Sequence, residues 1–189
     1  AADFDNSGRT GIAVTNFEGE MVGLYRAEQA GRYRDVASRA GVGQASRNRL
    51  GFGCVFADLD LDGDLDLIIA NGHIDDTVRN IPGNVGYAQP PHLFLNDKGT
   101  FRDVAAQAGG GFERPRVGRG LAVGDFDNDG KSDLLITNYT GQMPVLYRCL
   151  GDGVFEDVSR RTQIGRRGSV CPPKGRLPRT VAAGTGCCP

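Results

Sequence analysis

The stretch Asp125-Phe126-Asp127-Asn128-Asp129-Gly130-Lys131-Ser132-Asp133 constrains the rest of the chain more than any other. Carboxylates stand at loop positions 1, 3, 5 and 9, and a glycine stands at position 6. Acids crowded this closely repel one another unless a cation sits among them. Calcium suits such a loop, because it accepts about six to eight oxygens in irregular geometry. Alternate residues are expected to point inward, so that Asp125, Asp127 and Asp129 converge. Gly130 permits the sharp turn that follows. Lys131, at position 7, would offer its backbone carbonyl and send its side chain to solvent. Asp133 closes the cage. The apolar run Leu134-Leu135-Ile136 comes next, so the loop leads into a β-strand and not a helix.

The loop recurs. Asp58, Asp60, Asp62 and Asp66 repeat the four acids, with Gly63 at position 6 and Asp64 at position 7. Near the N-terminus, Asp3, Asp5 and Gly8 keep positions 1, 3 and 6, while Ser7, Arg9 and Gly11 occupy positions 5, 7 and 9. Acidic surface turns can look like one such loop, since Asp and Gly favour turns. Two complete copies at corresponding places point to calcium instead. The candidate ligands are therefore Asp58, Asp60, Asp62, Asp66, Asp125, Asp127, Asp129 and Asp133, with the carbonyls of Asp64 and Lys131. Asp3, Asp5, Ser7 and the Arg9 carbonyl form a weaker third set, because position 9 lacks its carboxylate.

A longer period surrounds the loops. Each first Asp is followed 13 residues later by an Asn: Asp3 by Asn16, Asp58 by Asn71, Asp125 by Asn138. Between them lie Ile12-Ala13-Val14, Leu67-Ile68-Ile69 and Leu134-Leu135-Ile136. A second apolar run follows at Leu24-Tyr25-Arg26, Leu93-Phe94-Leu95-Asn96 and Leu146-Tyr147-Arg148. A third is Tyr33–Val36, Phe101–Val104 and Phe155–Val158, each after a glycine-containing turn. Gly53–Ala57 and Gly120–Gly124 enter the loops as a fourth strand. About four short strands per repeat read as the blades of a β-propeller, an all-β fold. Three blades do not close a ring, since closed propellers use ~4–8. The expectation is thus a partial propeller over residues 1–165, a piece of a larger one.

The glycine, Asp-x-Asp-x-Asp-Gly-x-x-Asp-Leu and Asn pattern resembles the FG-GAP, or VCBS, repeat of integrin-α-type propellers. Asp58 to His73, Tyr87-Ala88-Gln89-Pro90, Leu93-Phe94-Leu95-Asn96 and Val117-Gly118-Arg119-Gly120 look closer still to the cartilage acidic protein group and its ASPIC/UnbV relatives. The resemblance implies a secreted or surface-exposed propeller, extracellular or periplasmic, with calcium in its blade loops. It implies no known reaction. The first loop departs from the pattern, and no ASPIC/UnbV segment is recognisable after the blades.

Composition excludes some alternatives. The net charge of -1 gives no basic field for nucleic acid. Eleven of the 23 acidic residues lie in the three loops, so acidity is concentrated where metal is expected. No apolar run approaches the ~20 residues of a membrane span. No signal peptide is visible, and the chain opens almost inside a loop, which suggests a missing N-terminus. Residues 166–189 hold four of the nine prolines, three of the five cysteines and no acid, and are expected to be a disordered or non-native tail. The connection from 72 to 92 is 15 residues longer than its counterparts and holds His73, Asp75, Asp76, Tyr87 and His92. A structured lid, with His73 bonded to its own turn, is favoured there over acid–base chemistry. Arg114–Arg119 holds three arginines, read as a solvated turn or an anion contact. Cys54 reads as a small core residue. Two function classes follow: a non-enzymatic calcium-stabilised module that binds a protein or glycan, or part of a secreted enzyme using the 72–92 loop.

Overall fold

The protein's structure, a computed structural model, describes residues 1–80, 86–139, 141–162 and 164. The tail at 166–189, including Cys171, Cys187 and Cys188, lies outside the described residues.

Three antiparallel sheets follow one another along the chain. The first is β1 (Ile12–Val14), β2 (Gly23–Ala27) and β3 (Tyr33–Asp35). The second is β4 (Gly51–Ala57), β5 (Asp66–Asn71), β6 (His92–Asp97) and β7 (Thr100–Asp103). The third is β8 (Gly118–Gly124), β9 (Asp133–Asn138), β10 (Val145–Gly151) and β11 (Val154–Asp157). Each sheet is a meander of neighbours, the arrangement of a propeller blade. Two blades carry the expected four strands, and the first carries three among the described residues. No described helix is long and apolar enough to cross a membrane.

Strand β5 explains why its sequence is a continuous apolar run. All six of its residues are buried, because the second blade is covered on both faces. Alternate side chains serve different neighbours. Leu67 and Ile69 join Phe4, Leu24, Val42, Phe94 and Phe101 in a core with the first blade. Ile68 and Ala70 join Leu93, Leu134, Ile136, Tyr147 and Phe155 in a core with the third. Each fully buried Leu or Ile side chain contributes ~1.5–3 kcal/mol. Aromatic contacts seal both junctions: Phe4 stacks on Phe56 at 5.8 Å, and Phe112 on Phe155 at 5.7 Å. Cys54 packs against the first core, and Cys149 is buried in the second.

The blades come close at β4 and β8. A Cβ on Gly53 would lie 2.8 Å from the Leu121 backbone nitrogen, so only glycine fits there. Between β3 and β4 the chain forms two short helices, α1 (Ala37–Ala40) and α2 (Val42–Ser46). Gly41 separates them at φ 92°, and a Cβ there would run into the Phe101 carbonyl.

The topology puts all three acidic loops at one end of the blades. Loop A (3–11) leads into β1, loop B (58–66) joins β4 to β5, and loop C (125–133) joins β8 to β9. The connections that leave β1, β5 and β9 lie at the other end.

Candidate metal centres

The three loops share one backbone path. Position 4 is left-handed in each, at Asn6 (φ 54°), Leu61 (φ 68°) and Asn128 (φ 58°). Position 6 is left-handed too, at Gly8, Gly63 and Gly130. The first Asp ties each loop together. Asp58 accepts the N–H groups of Leu61 (2.7 Å) and Gly63 (3.2 Å). Asp125 accepts those of Asp129 (3.1 Å) and Gly130 (2.9 Å). Asp3 accepts those of Ser7 (2.9 Å) and Gly8 (2.7 Å), so loop A keeps this fold without the full acid set.

The last Asp of loops B and C is anchored in the blade. Asp66 is fully buried and accepts the N–H groups of Leu59 and Asn96, both at 2.9 Å. Asp133 accepts those of Phe126 (3.0 Å) and Cys149 (2.8 Å). Burial pushes the Asp66 carboxyl up to about 7, against the pull of those two N–H groups, and Asp60 and Asp62 add to the rise. Burial, followed by Asp62, also raises Asp60. Loop B therefore holds two carboxyls, Asp60 and Asp66, whose burial disfavours the charged form.

The structure brings together Asp58, Asp60 and Asp66 in loop B, and Asp125, Asp127 and Asp133 in loop C. Within each trio, one oxygen per carboxylate lies within 4.8 Å of the others. Oxygens at ~2.3–2.6 Å from one calcium ion would be spaced this way. All donors are hard oxygens, so the sets fit that ion. Asp62 and Asp129 stand outside the trios: Asp62 accepts the Asp64 N–H at 2.8 Å, and Asp129 meets Lys131. Loop A forms no such trio among the described residues.

The side chains at position 7 have partners in both complete loops. Lys131 stays at the surface, where its Nζ donates to Asp129 Oδ2 at 2.7 Å. That contact, through the Lys131 ammonium, holds Asp129 below its ordinary range. Asp64 turns its carboxylate to loop A, where it accepts from Asn6 Nδ2 at 2.5 Å, and it also accepts the Lys98 N–H at 2.8 Å. Arg9 donates from Nε to the Ala27 carbonyl at 3.2 Å. Asn96 reinforces the seam: its Nδ2 donates to the carbonyls of Phe4 (2.7 Å) and Leu65 (2.9 Å), and its Oδ1 accepts the Gly99 N–H (2.8 Å).

The repeated Asn belongs to the opposite end. Asn16 donates to the Met21 carbonyl and Asn138 to that of Met143, both at 2.7 Å. Asn71 donates to Pro90 at 2.8 Å and lies 3.0 Å from His92 Nδ1. Each holds the connection after its strand. In the long connection, His73 Nδ1 accepts the Asp75 N–H at 3.0 Å, the turn bond expected of it. Its Nε2 lies 3.4 Å from Glu18, and its ring meets Phe17 edge-on. Asp75 is held below its usual value by the Thr77 N–H, and Asp76 opens a short 3₁₀ turn. The Tyr87 carbonyl accepts the His73 N–H at 2.8 Å. His92 has separate partners, donating from Nε2 to the Ala45 carbonyl at 3.2 Å. The two histidines therefore have different hydrogen-bond partners. Arg116 pairs with Asp157 at 3.6 Å. Arg119 donates to the carbonyls of Gly118 (2.8 Å) and His73 (2.9 Å) and covers the Phe52 ring. Those two arginines brace the blade.

A family model described as an FG-GAP-like repeat matches residues 3–69 and 83–136. The match concerns the repeat and does not reach the narrower cartilage acidic protein or ASPIC/UnbV grouping. No curated protein matches the chain.

Proposed function

The chain belongs to the FG-GAP-like repeat family, and from that premise we propose that it is a calcium-binding propeller module of a secreted, extracellular or periplasmic protein. We place it with the cartilage acidic protein and ASPIC/UnbV relatives. The observation that carries the reading is the pair of aspartate trios, Asp58, Asp60, Asp66 and Asp125, Asp127, Asp133, built at the same place in two blades. Asp62, Asp129 and the carbonyls of Asp64 and Lys131 complete the sets. Calcium supplies the positive charge that crowded carboxylates at a blade end require. Its role is structural.

The module binds a protein or glycan rather than catalysing a reaction. Phe17, Ile74, Tyr139 and Met143 support this, standing exposed on the connections that leave β1, β5 and β9. They give the end away from the loops an apolar surface of the kind that marks interaction sites.

Calorimetry with calcium is expected to give two sites at roughly 10⁻⁴–10⁻³ M, the range of extracellular modules. At ~100 times the dissociation constant, each adds ~2.7 kcal/mol of stability that chelator removes. No heat at several millimolar calcium, with an unchanged melt in chelator, would refute the reading.

A further inference from the structure

We propose that the loops are graded in calcium affinity, with loop B the tightest, and that the residue at one strand position, Arg26, Leu95 or Arg148, sets the grade. The proposal rests on the calcium reading above.

The strand pairing defines the position. Ile12 pairs with Tyr25, Leu67 with Phe94 and Leu134 with Tyr147, so the next residues, Arg26, Leu95 and Arg148, are equivalent. In loop C, Arg148 Nη1 lies 3.8 Å from Asp127 Oδ2, at loop position 3. In loop A, Arg26 Nε lies 3.9 Å from Asp5 Oδ2, again at position 3. In the second blade the same place holds an uncharged side chain, and Leu95 packs against the core shared with the third blade.

A guanidinium cannot shed its proton, so its charge opposes an entering cation at every working pH. Loop C carries a second resident cation, Lys131, on Asp129 at 2.7 Å. Loop A adds Arg26 to a set already short of acids. Among the described residues, none of the loop B aspartates has an ion-pair partner. The Asp64 carboxylate is engaged by neutral donors, the Asn6 amide and the Lys98 N–H. Calcium entering loop B meets no side-chain cation, whereas calcium entering loop C meets two. The contacts of Arg148 and Lys131 are partly exposed, which moderates each effect.

Backbone amide NMR of the whole chain during calcium titration reads each loop separately, because the Gly63 and Gly130 N–H groups bond to Asp58 and Asp125. The Gly63 signal is expected to reach its midpoint at about tenfold lower calcium than Gly130, equivalent to ~1.4 kcal/mol. Arg148→Leu should move the Gly130 midpoint toward that of Gly63, with Glu156 still paired to Arg161 at 2.9 Å. Leu95→Arg should move the Gly63 midpoint the other way. If that variant does not fold, the native midpoints and Arg148→Leu decide. Equal native midpoints, or a Gly130 midpoint unmoved by Arg148→Leu, would overturn the grading and leave calcium binding intact. Silence of both glycines at several millimolar calcium would overturn the calcium reading and the grading with it.

Discussion

Acid should weaken this fold through one imidazole, that of His92. Its ring is buried, stacked on Phe94 at 5.1 Å, with Nδ1 accepting from Asn71 and Nε2 donating to Ala45. Both nitrogens are satisfied in the neutral form, so a second proton would cost the Asn71 bond and bury a charge. Burial, aided by the Arg49 guanidinium, pushes its pKa down from 6.5 to about 3. The Ala45 carbonyl pulls the other way but does not prevail, and Asp103, 4.0 Å from Nε2, is partly exposed. Below pH 6.5 the unfolded chain takes up a proton that the folded chain refuses, so stability falls as pH falls. From pH 7 to pH 5 the loss is ~2 kcal/mol, the slope approaching ~1.4 kcal/mol per pH unit well below pH 6.5. Urea unfolding at pH 7 and pH 5, in saturating calcium, measures it. His92→Gln should lose less stability over that interval by ~2 kcal/mol, whatever its stability at pH 7. His73→Gln is the control, since the chain has two histidines. An unchanged pH dependence in His92→Gln, or a native His92 ring resonance titrating near pH 6.5, would refute the reasoning.

Other substitutions test other parts of the structure. Leu61 is exposed and left-handed, a conformation that costs a side chain of this kind ~1–2 kcal/mol, so Leu61→Asn should raise stability by ~1 kcal/mol in denaturant titration. Asn96→Ala would leave the Phe4 and Leu65 carbonyls and the Gly99 N–H without their partner, and should cost ~3 kcal/mol by the same measurement. Asn138→Ala removes the bond to Met143 at an exposed site, and ~1 kcal/mol is expected.

The strands were legible because local chemistry decides them. Leu67–Ile69 and Leu134–Ile136 are apolar runs too short for helices, flanked by acidic turns, and they form β5 and β9. The short helices in 37–46 left no comparable trace: Ala37, Ser38 and Ala40 are too small and too few to show a 3.6-residue period. In the loops, acids at positions 1, 3 and 9 could be read as a cage, and those are the ones that converge. The acids at position 5, Asp62 and Asp129, lie outside those trios, each accepting the backbone N–H of position 7, a local bond that the spacing of the acids does not encode. Asp64 was not readable as a strut to Asn6, 58 residues away, since no local pattern encodes that contact.

The alternating sides of β5 bear on how a defect spreads. Leu67 and Ile68 are adjacent in sequence yet belong to different junctions, one to each neighbouring blade. Losing Leu67 packing loosens the first blade directly, and the third feels it through the second blade's strands, β5 among them. In stacked repeats, cooperativity runs through such nearest-neighbour couplings. Strand β5 is then the relay, and its amides should be among the last to exchange with solvent hydrogen, after both outer blades have opened.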